Sequence, residues 1–178
     1  MNYLKSEEIV ELFQNRLGQQ AIIDSKIETK VAGLKKNTYQ VIWIGVKSSF
    51  LKEAAKLLGE LHYPHFAIIS GIDIDKEIEL VYHFSIYYGA KGKEISINIF
   101  TFLSKDNLNI PTITDLIPGA QTSEREIKEM FGVNFEGLPD LPNLFLPYDF
   151  PSGVYPLRKD EKGVGVKVSE GDEVKKVE

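Results

Sequence analysis

The chain has 178 residues and a formal net charge of −5, from 21 Lys and Arg against 26 Asp and Glu. Hydrophobic residues make up 43% and charged residues 26%, a globular balance, and the two signs are mixed along the chain, so no basic stripe points to nucleic acid. There is no cysteine, which excludes disulfides, cysteine nucleophiles, thiolate zinc sites and the ordinary ligation of iron–sulfur clusters.

The opening MNYLKSEEIV carries charges where a secretory signal needs an apolar run. No apolar stretch approaches the ~18 residues that read as a membrane span. A cytoplasmic chain that reaches a membrane only through a partner is expected.

In chain order, Ser6–Leu17 reads as a helix, with Ser6 as cap and Ile9, Val10, Leu12, Phe13 and Leu17 on its apolar side. Strands are predicted at Ala21–Val31 and Tyr39–Val46, joined by the polar turn Lys35–Asn37. Ser48 or Ser49 should cap a second amphipathic helix carrying Leu51, Ala54, Ala55, Leu58 and Leu61. Strands Phe66–Ile74, Ile78–Tyr88 and Glu94–Leu103 follow, separated by short turns, and read as an antiparallel meander. The two helices are available to cover one face of the sheet. The fold class is therefore α+β, a largely antiparallel sheet backed by helices. Pro111–Ile117 reads as a short helix ended by Pro118 and Gly119.

The stretch SEREIKEMFGVNFEGLPDL, residues 123–141, joins a short helix to a chain that cannot continue it. Ser123 and Glu126 have the spacing of a capping box. Glu124–Lys128 and Arg125–Glu129 have the spacing of i,i+4 ion pairs. Ile127, Met130 and Phe131 form an apolar side, and Gly132 sits where a left-handed stop belongs. Beyond it, Pro139, Pro142, Pro147, Pro151 and Pro156 block helix and central strand alike. Yet the same segment holds Leu138, Leu141, Leu144, Phe145, Leu146, Tyr148, Phe150, Tyr155 and Leu157. That is too apolar for a solvated linker. The segment must lie on a surface, a partner's or its own domain's.

Glu124-Arg125-Glu126, Glu129-Met130-Phe131-Gly132, Phe135, Gly137, Pro139-Asp140-Leu141 and Pro156-Leu157-Arg158-Lys159-Asp160 occur in an order and spacing that resemble the 30-kDa subunit family of respiratory complex I, the NADH dehydrogenase of respiratory chains. The family pattern is approximately ERE-x-x-DMFG-x-x-F-x-GHPDLRRIL followed by HPLRKD. Four departures stand out: Leu138 for the histidine of GHPDL, Pro142-Asn143 for the basic pair, Glu129 for the aspartate before MFG, and Tyr155 for the histidine before PLRKD. They look more like the corresponding subunit of membrane-bound hydrogenase-type complexes. The same subunit of a quinone- or sulfur-linked relative is the alternative, and a stand-alone enzyme the alternative from another class.

The resemblance implies a non-catalytic subunit of a peripheral arm on the cytoplasmic side of the cell membrane. Its partners would be a large [NiFe]-hydrogenase-like (49-kDa-type) subunit and a neighbouring Fe–S subunit, with the membrane arm reached indirectly. No cofactor is expected on this chain. Fe–S clusters, and nickel–iron in the hydrogenase-type case, are expected in the partners. The expected organisation is an α+β domain over residues 1–121, the signature helix with an extended partner-binding segment over 122–160, and a flexible charged tail over 161–178. Partner-binding residues implied by the matched motifs and the apolar tail are Glu124, Arg125, Glu126, Phe131, Gly132, Leu141, Leu144, Phe145, Phe150, Pro156, Leu157, Arg158, Lys159 and Asp160.

Other patterns are weaker. His62 and His65 could share a metal on a helix, but Pro64 between them breaks that geometry. Asp73, Asp75 and Glu77 lack the glycine and terminal glutamate of a calcium loop and read as a solvated hairpin turn. No phosphate loop or nucleophile elbow is present. Glu124 and Glu126 could pair as acid and base, but capping accounts for Glu126 without chemistry.

Overall fold

The structure, a computed structural model, describes residues 3–33 and 37–159. The elements in order are α1 (Ser6–Leu17), β1 (Ile22–Ala32), β2 (Asn37–Val46), α2 (Leu51–Leu61), β3 (His65–Asp73), β4 (Glu77–Ile86), β5 (Ile95–Ser104), β6 (Asn109–Pro111), α3 (Gln121–Phe131) and β7 (Asn134–Glu136). The predicted turn at 35–37 falls largely, and the tail 161–178 wholly, outside the described residues.

Five strands form one sheet in the order β1-β2-β5-β4-β3. The β3-β4-β5 meander is antiparallel, as its alternation requires. The β1–β2 hairpin joins it through one parallel pairing, β2 to β5, with Ile42 opposite Ile97 and Ile44 opposite Ile99. These isoleucines share a face with Leu80, Tyr82 and Phe84 of β4. That face meets Ile9 and Phe13 of α1 and Leu51, Ala54 and Leu58 of α2 in one buried cluster. The expected architecture is present: a mostly antiparallel sheet with its helices on one face.

α3 lies on the same face, over edge strand β3. A side chain at Gly71 would collide with Phe131 and Ile127, so only glycine lets the helix approach this closely. The opposite face of the sheet carries no described helix.

Four local expectations change. Ser6 does not cap α1; the helix begins at it, its hydroxyl meets Gln40 Oε1 at 2.7 Å, and the Lys5 N–H is taken by the Glu8 carboxylate at 2.7 Å. No serine caps α2, because a 3₁₀ turn over Ser48–Phe50 leads into it and satisfies part of the N-terminal backbone. Pro111–Ile117 is not a helix. Pro111 closes β6, which pairs in parallel with β7, and residues 113–117 form a turn closed by Ile117 N–H to Ile113 O at 2.8 Å. The hydroxyls of Thr112 and Thr114 bond each other at 2.8 Å and compete with the helix backbone there. Finally, Pro118 and Gly119 do not end a helix; with Ala120 they form the 3₁₀ turn that opens α3 at Gln121. Ser123 therefore sits within the first turn, caps nothing, and is buried.

Candidate functional site

α3 is 11 residues long, short of the ~12–15 at which an isolated helix becomes even marginal in water, so packing must hold it. Ile127 and Phe131 supply that packing against β3. On the same stripe lies Glu124, fully buried. Its carboxylate accepts the Ile113 N–H at 2.9 Å and the Thr112 hydroxyl at 2.5 Å, which ties the helix to the turn before it. Burial raises the Glu124 carboxyl above its ordinary range; the two hydrogen bonds offset this only in part, and nearby Asp115 adds to the rise. Its charge in turn pushes the phenol of Tyr82, already raised by full burial, further up.

The outer side of α3 holds the segment that follows. Arg125 Nη2 donates to Pro142 O at 2.7 Å, and Lys128 reaches Asp140 at 3.3 Å. Glu129 accepts the backbone N–H groups of Leu144, Phe145 and Leu146. The chain then returns. Leu157 N–H meets Met130 O at 3.2 Å, and Arg158 Nε donates to Phe131 O at 2.7 Å, its guanidinium 4.2 Å above the Tyr155 ring. Lys159 N–H ends on Asp73 Oδ2 at 2.8 Å, beside Lys105 Nζ at 2.7 Å. Burial works against the Asp73 charge, but Lys105 and the N–H groups of Lys159 and Asp75 win and hold its carboxyl below the usual range. Asp73 is thus a buried anchor and not part of a solvated turn.

Residues 138–159 therefore form a loop whose backbone is fastened to α3 at both ends. Several of its large apolar side chains stay at the surface. Leu141, Leu144, Phe145 and Leu157 are exposed at 44%, 38%, 57% and 53%, and Tyr148 is fully exposed. Phe150 and Pro156 are half-buried. A cleft of about 460 Å³ between α3 and the loop is lined by Lys128, Glu129, Leu146, Phe150 and Tyr155 among others.

The implied partner-binding residues thus separate. Glu124 and Phe131 are turned into the chain's own core and offer a partner nothing. Arg125 and Arg158 hold the loop, and Lys159 does so through its backbone. Gly132, at φ 72°, ends α3 in the left-handed region, where a side chain would collide with Tyr155 and Arg158. Glu126 is half-buried. Leu141, Leu144, Phe145 and Leu157, with Tyr148, are the exposed large apolar side chains of the loop, its crest. Asp160 lies outside the described residues. The i,i+4 pairs give way to longer-range partners: Thr112 for Glu124, Asp140 for Lys128, Pro142 for Arg125 and the loop amides for Glu129.

Sequence reasoning missed Glu129, Tyr148 and Asp73 as site residues. Glu129 could have been found as the acid facing away from Ile127 on the helix. Asp73 carries little local signal, because apart from the Asp75 N–H its partners are 32 and 86 residues away.

One arrangement elsewhere has the outline of a catalytic relay. Ser70 Oγ lies 2.9 Å from His83 Nε2, and His83 Nδ1 lies 2.9 Å from Asn98 Oδ1. The three sit on the uncovered face of β3, β4 and β5. The clefts near the start of α1, beside α3 and at the β3–β4 turn are lined by other residues. His62 packs edge-on to Tyr87 and Tyr88, and His65 to Tyr88. Among the described residues no three His, Asp or Glu side chains converge as a metal site would need.

The family model described as "Respiratory-chain NADH dehydrogenase, 30 Kd subunit" matches residues 44–167. A membrane-bound hydrogenase subunit beta of Pyrococcus furiosus is 39% identical over 124 residues, covering 69% of this chain and 71% of the relative. A subunit of the NADH-quinone oxidoreductase of Chloroherpeton thalassium is 35% identical over 103 residues, covering 57% of this chain and only 41% of the relative. Among solved structures, a chain of the membrane-bound sulfane sulfur reductase, an archaeal respiratory membrane complex, superposes with a TM-score of 0.72 at 25% identity, covering 98% of this chain and 96% of that one.

Proposed function

The chain belongs to the family of the 30-kDa subunit of respiratory-chain NADH dehydrogenase, and from that premise we propose how it works within a complex. It is a non-catalytic peripheral subunit of a complex I-related, membrane-bound oxidoreductase, and it works among partner subunits. Among the described residues no helix is long and apolar enough to cross a membrane. In this reading its link to the membrane runs through those partners. The hydrogenase-type assignment draws support from the Pyrococcus furiosus relative, in which 71% of the chain is matched. A sulfur-linked complex is the second reading, favoured by the near-complete superposition on the sulfane sulfur reductase chain.

The docking element of this reading is the crest. The observation that carries it is the opposition within one loop: backbone fastened to α3, large apolar side chains facing solvent. An apolar group left exposed on a held backbone loses little entropy when it is covered. The large [NiFe]-hydrogenase-like (49-kDa-type) subunit is the partner proposed for the crest, with a neighbouring Fe–S subunit alongside, on the cytoplasmic side of the membrane. Redox cofactors belong to those partners in this reading. The lack of cysteine in this chain supports it.

The test is affinity purification of the intact complex through a tag on this chain. Phe145→Ser together with Tyr148→Ser should leave the chain folded and abolish co-purification of the large subunit. Undiminished recovery would overturn the crest as the docking element. Elemental analysis of the purified chain should find no stoichiometric iron or nickel; about one metal per chain would overturn the scaffold role.

A further inference from the structure

Glu129 makes an unusual set of contacts for a surface carboxylate. Three consecutive backbone N–H groups, those of Leu144, Phe145 and Leu146, converge on it, the last two at 2.9 and 3.1 Å. A strand sends alternate N–H groups to opposite sides, and a helix sends them all along its axis. Three in a row on one anion require the chain to curl round it, as in an anion-binding nest. Here the anion is the protein's own. The curl decides which way the side chains go: Leu144 and Phe145 project to solvent, while Leu146 folds back towards the cleft against α3.

The surroundings agree. Pro142 and Pro147 flank the curl and limit its alternatives. Arg125, one turn before Glu129, holds Pro142 O at 2.7 Å, so the entry to the curl is fixed from the same helix. The Glu129 carboxylate is occupied by three amides and sits near Arg125, so it has little left to offer a basic group on another subunit.

We propose that Glu129 is a positioning residue, which forms the apolar crest before any partner arrives, so that Leu144, Phe145 and Tyr148 enter an apolar groove of the neighbouring subunit as a preset knob. This rests on the crest being the docking element. It goes beyond that reading by assigning the carboxylate an internal role and the partner surface an apolar character with no cation opposite Glu129.

The experiment compares full-length wild type, Glu129→Ala, Glu129→Gln and the crest variant Phe145→Ser/Tyr148→Ser. Two readouts are taken: hydrogen exchange at the amides of residues 144–146, and assembly with the partner subunits at low and high salt. Glu129→Ala should lose about tenfold or more of the protection at 144–146 while β3, β4 and β5 keep theirs. Its assembly should fall about tenfold or more, since the ordering cost moves to the docking step. Glu129→Gln, which keeps an acceptor without the charge, should lie between. Salt should change wild-type assembly little, as suits an apolar contact.

Unchanged protection in Glu129→Ala overturns the staple. Lost protection with unchanged assembly shows that presetting the crest does not matter, and also overturns the proposal. If assembly collapses with salt in wild type but not in the variants, Glu129 pairs with a partner cation instead, and the internal role is wrong. The crest variant isolates the underlying reading: it should keep protection at 144–146 and still fail to assemble. If it assembles normally, the crest is not the docking element, and the proposal falls with it.

Discussion

Removing the Glu124 carboxylate should destabilise the chain, and replacing it by the amide should not. Glu124→Ala leaves the Ile113 N–H without its acceptor at 2.9 Å in a site closed to water. An orphaned buried donor costs about 1–3 kcal/mol. Thr112 escapes that fate, because its hydroxyl can turn to Thr114 Oγ1 at 2.8 Å. The lost methylenes add a small cavity, worth about 1 kcal/mol. Relief of the buried charge works the other way, so the net loss is about 2–3 kcal/mol at neutral pH. In Glu124→Gln the side-chain carbonyl still takes the Ile113 N–H, and the amide group can donate to Thr112, so stability should stay within about 1 kcal/mol of wild type. Urea unfolding of the full chain measures both. The pH dependence separates charge from shape. Burial raises the folded-state pKa of Glu124 above its unfolded value. Its contribution is therefore fully present below the unfolded pKa of about 4.3 and is lost as pH rises through the folded value. Wild type should lose ground to Glu124→Gln over that window. An alanine variant within about 0.5 kcal/mol of wild type, or a wild-type-minus-Gln difference flat from about pH 4 to 8, would refute the reasoning.

Asp73 has the opposite sign: its folded pKa is depressed, so its contribution is present above the unfolded pKa of about 3.9 and lost as pH falls through the folded value. Asp73→Asn should accordingly raise hydrogen exchange at the Lys159 amide at neutral pH, with little difference from wild type in acid. Truncation after Asp140 should leave the sheet folded, because among the described residues the last buried core side chain is Phe135, and should abolish co-purification of the partner subunits; a truncated chain that fails to fold would place the loop in the core. Gly132→Ala should cost more than about 1 kcal/mol, from its left-handed backbone and the crowding by Tyr155 and Arg158, read as faster exchange at Leu157 and Arg158.

The sheet was legible where side chains alternate. Leu80, Tyr82, Phe84 and Ile86 announce one buried face of β4, and the short turns around it announce antiparallel neighbours. The parallel pairing of β2 with β5 was not legible, since partners more than 50 residues apart leave no local mark. The start of α3 was misplaced because Ser-x-x-Glu matches a capping box by composition alone. The burial of Glu124 did have a signal: Ala120, Ser123, Glu124, Ile127 and Phe131 fall at helical spacing, and all are buried. A carboxylate on that stripe needs a donor, and Thr112 and the Ile113 N–H provide it. The loop was legible in composition but not in direction, because composition shows how much apolar surface a segment carries and not which way its backbone donors point.

That last distinction bears on the choice between a segment lying on its own domain and one lying on a partner. In the proposed function both sides of the chain are used, by different groups. Backbone groups of residues 142–159 are matched to Arg125, Glu129, Met130 and Asp73, and the Arg158 side chain to the Phe131 carbonyl, so the path is set by the chain itself. The side chains of Leu141, Leu144, Phe145, Tyr148 and Leu157 remain exposed. A proline-rich segment suits this division, since it has fewer backbone donors to satisfy and fewer conformations to lose. α3 is then the joint between two surfaces. Its inner stripe, Glu124, Ile127 and Phe131, is held by the core, and its outer groups, Arg125 and Glu129, hold the crest. Any displacement of α3 on β3 moves the crest with it, because the Phe131 carbonyl that receives Arg158 belongs to the residue whose ring rests on Gly71.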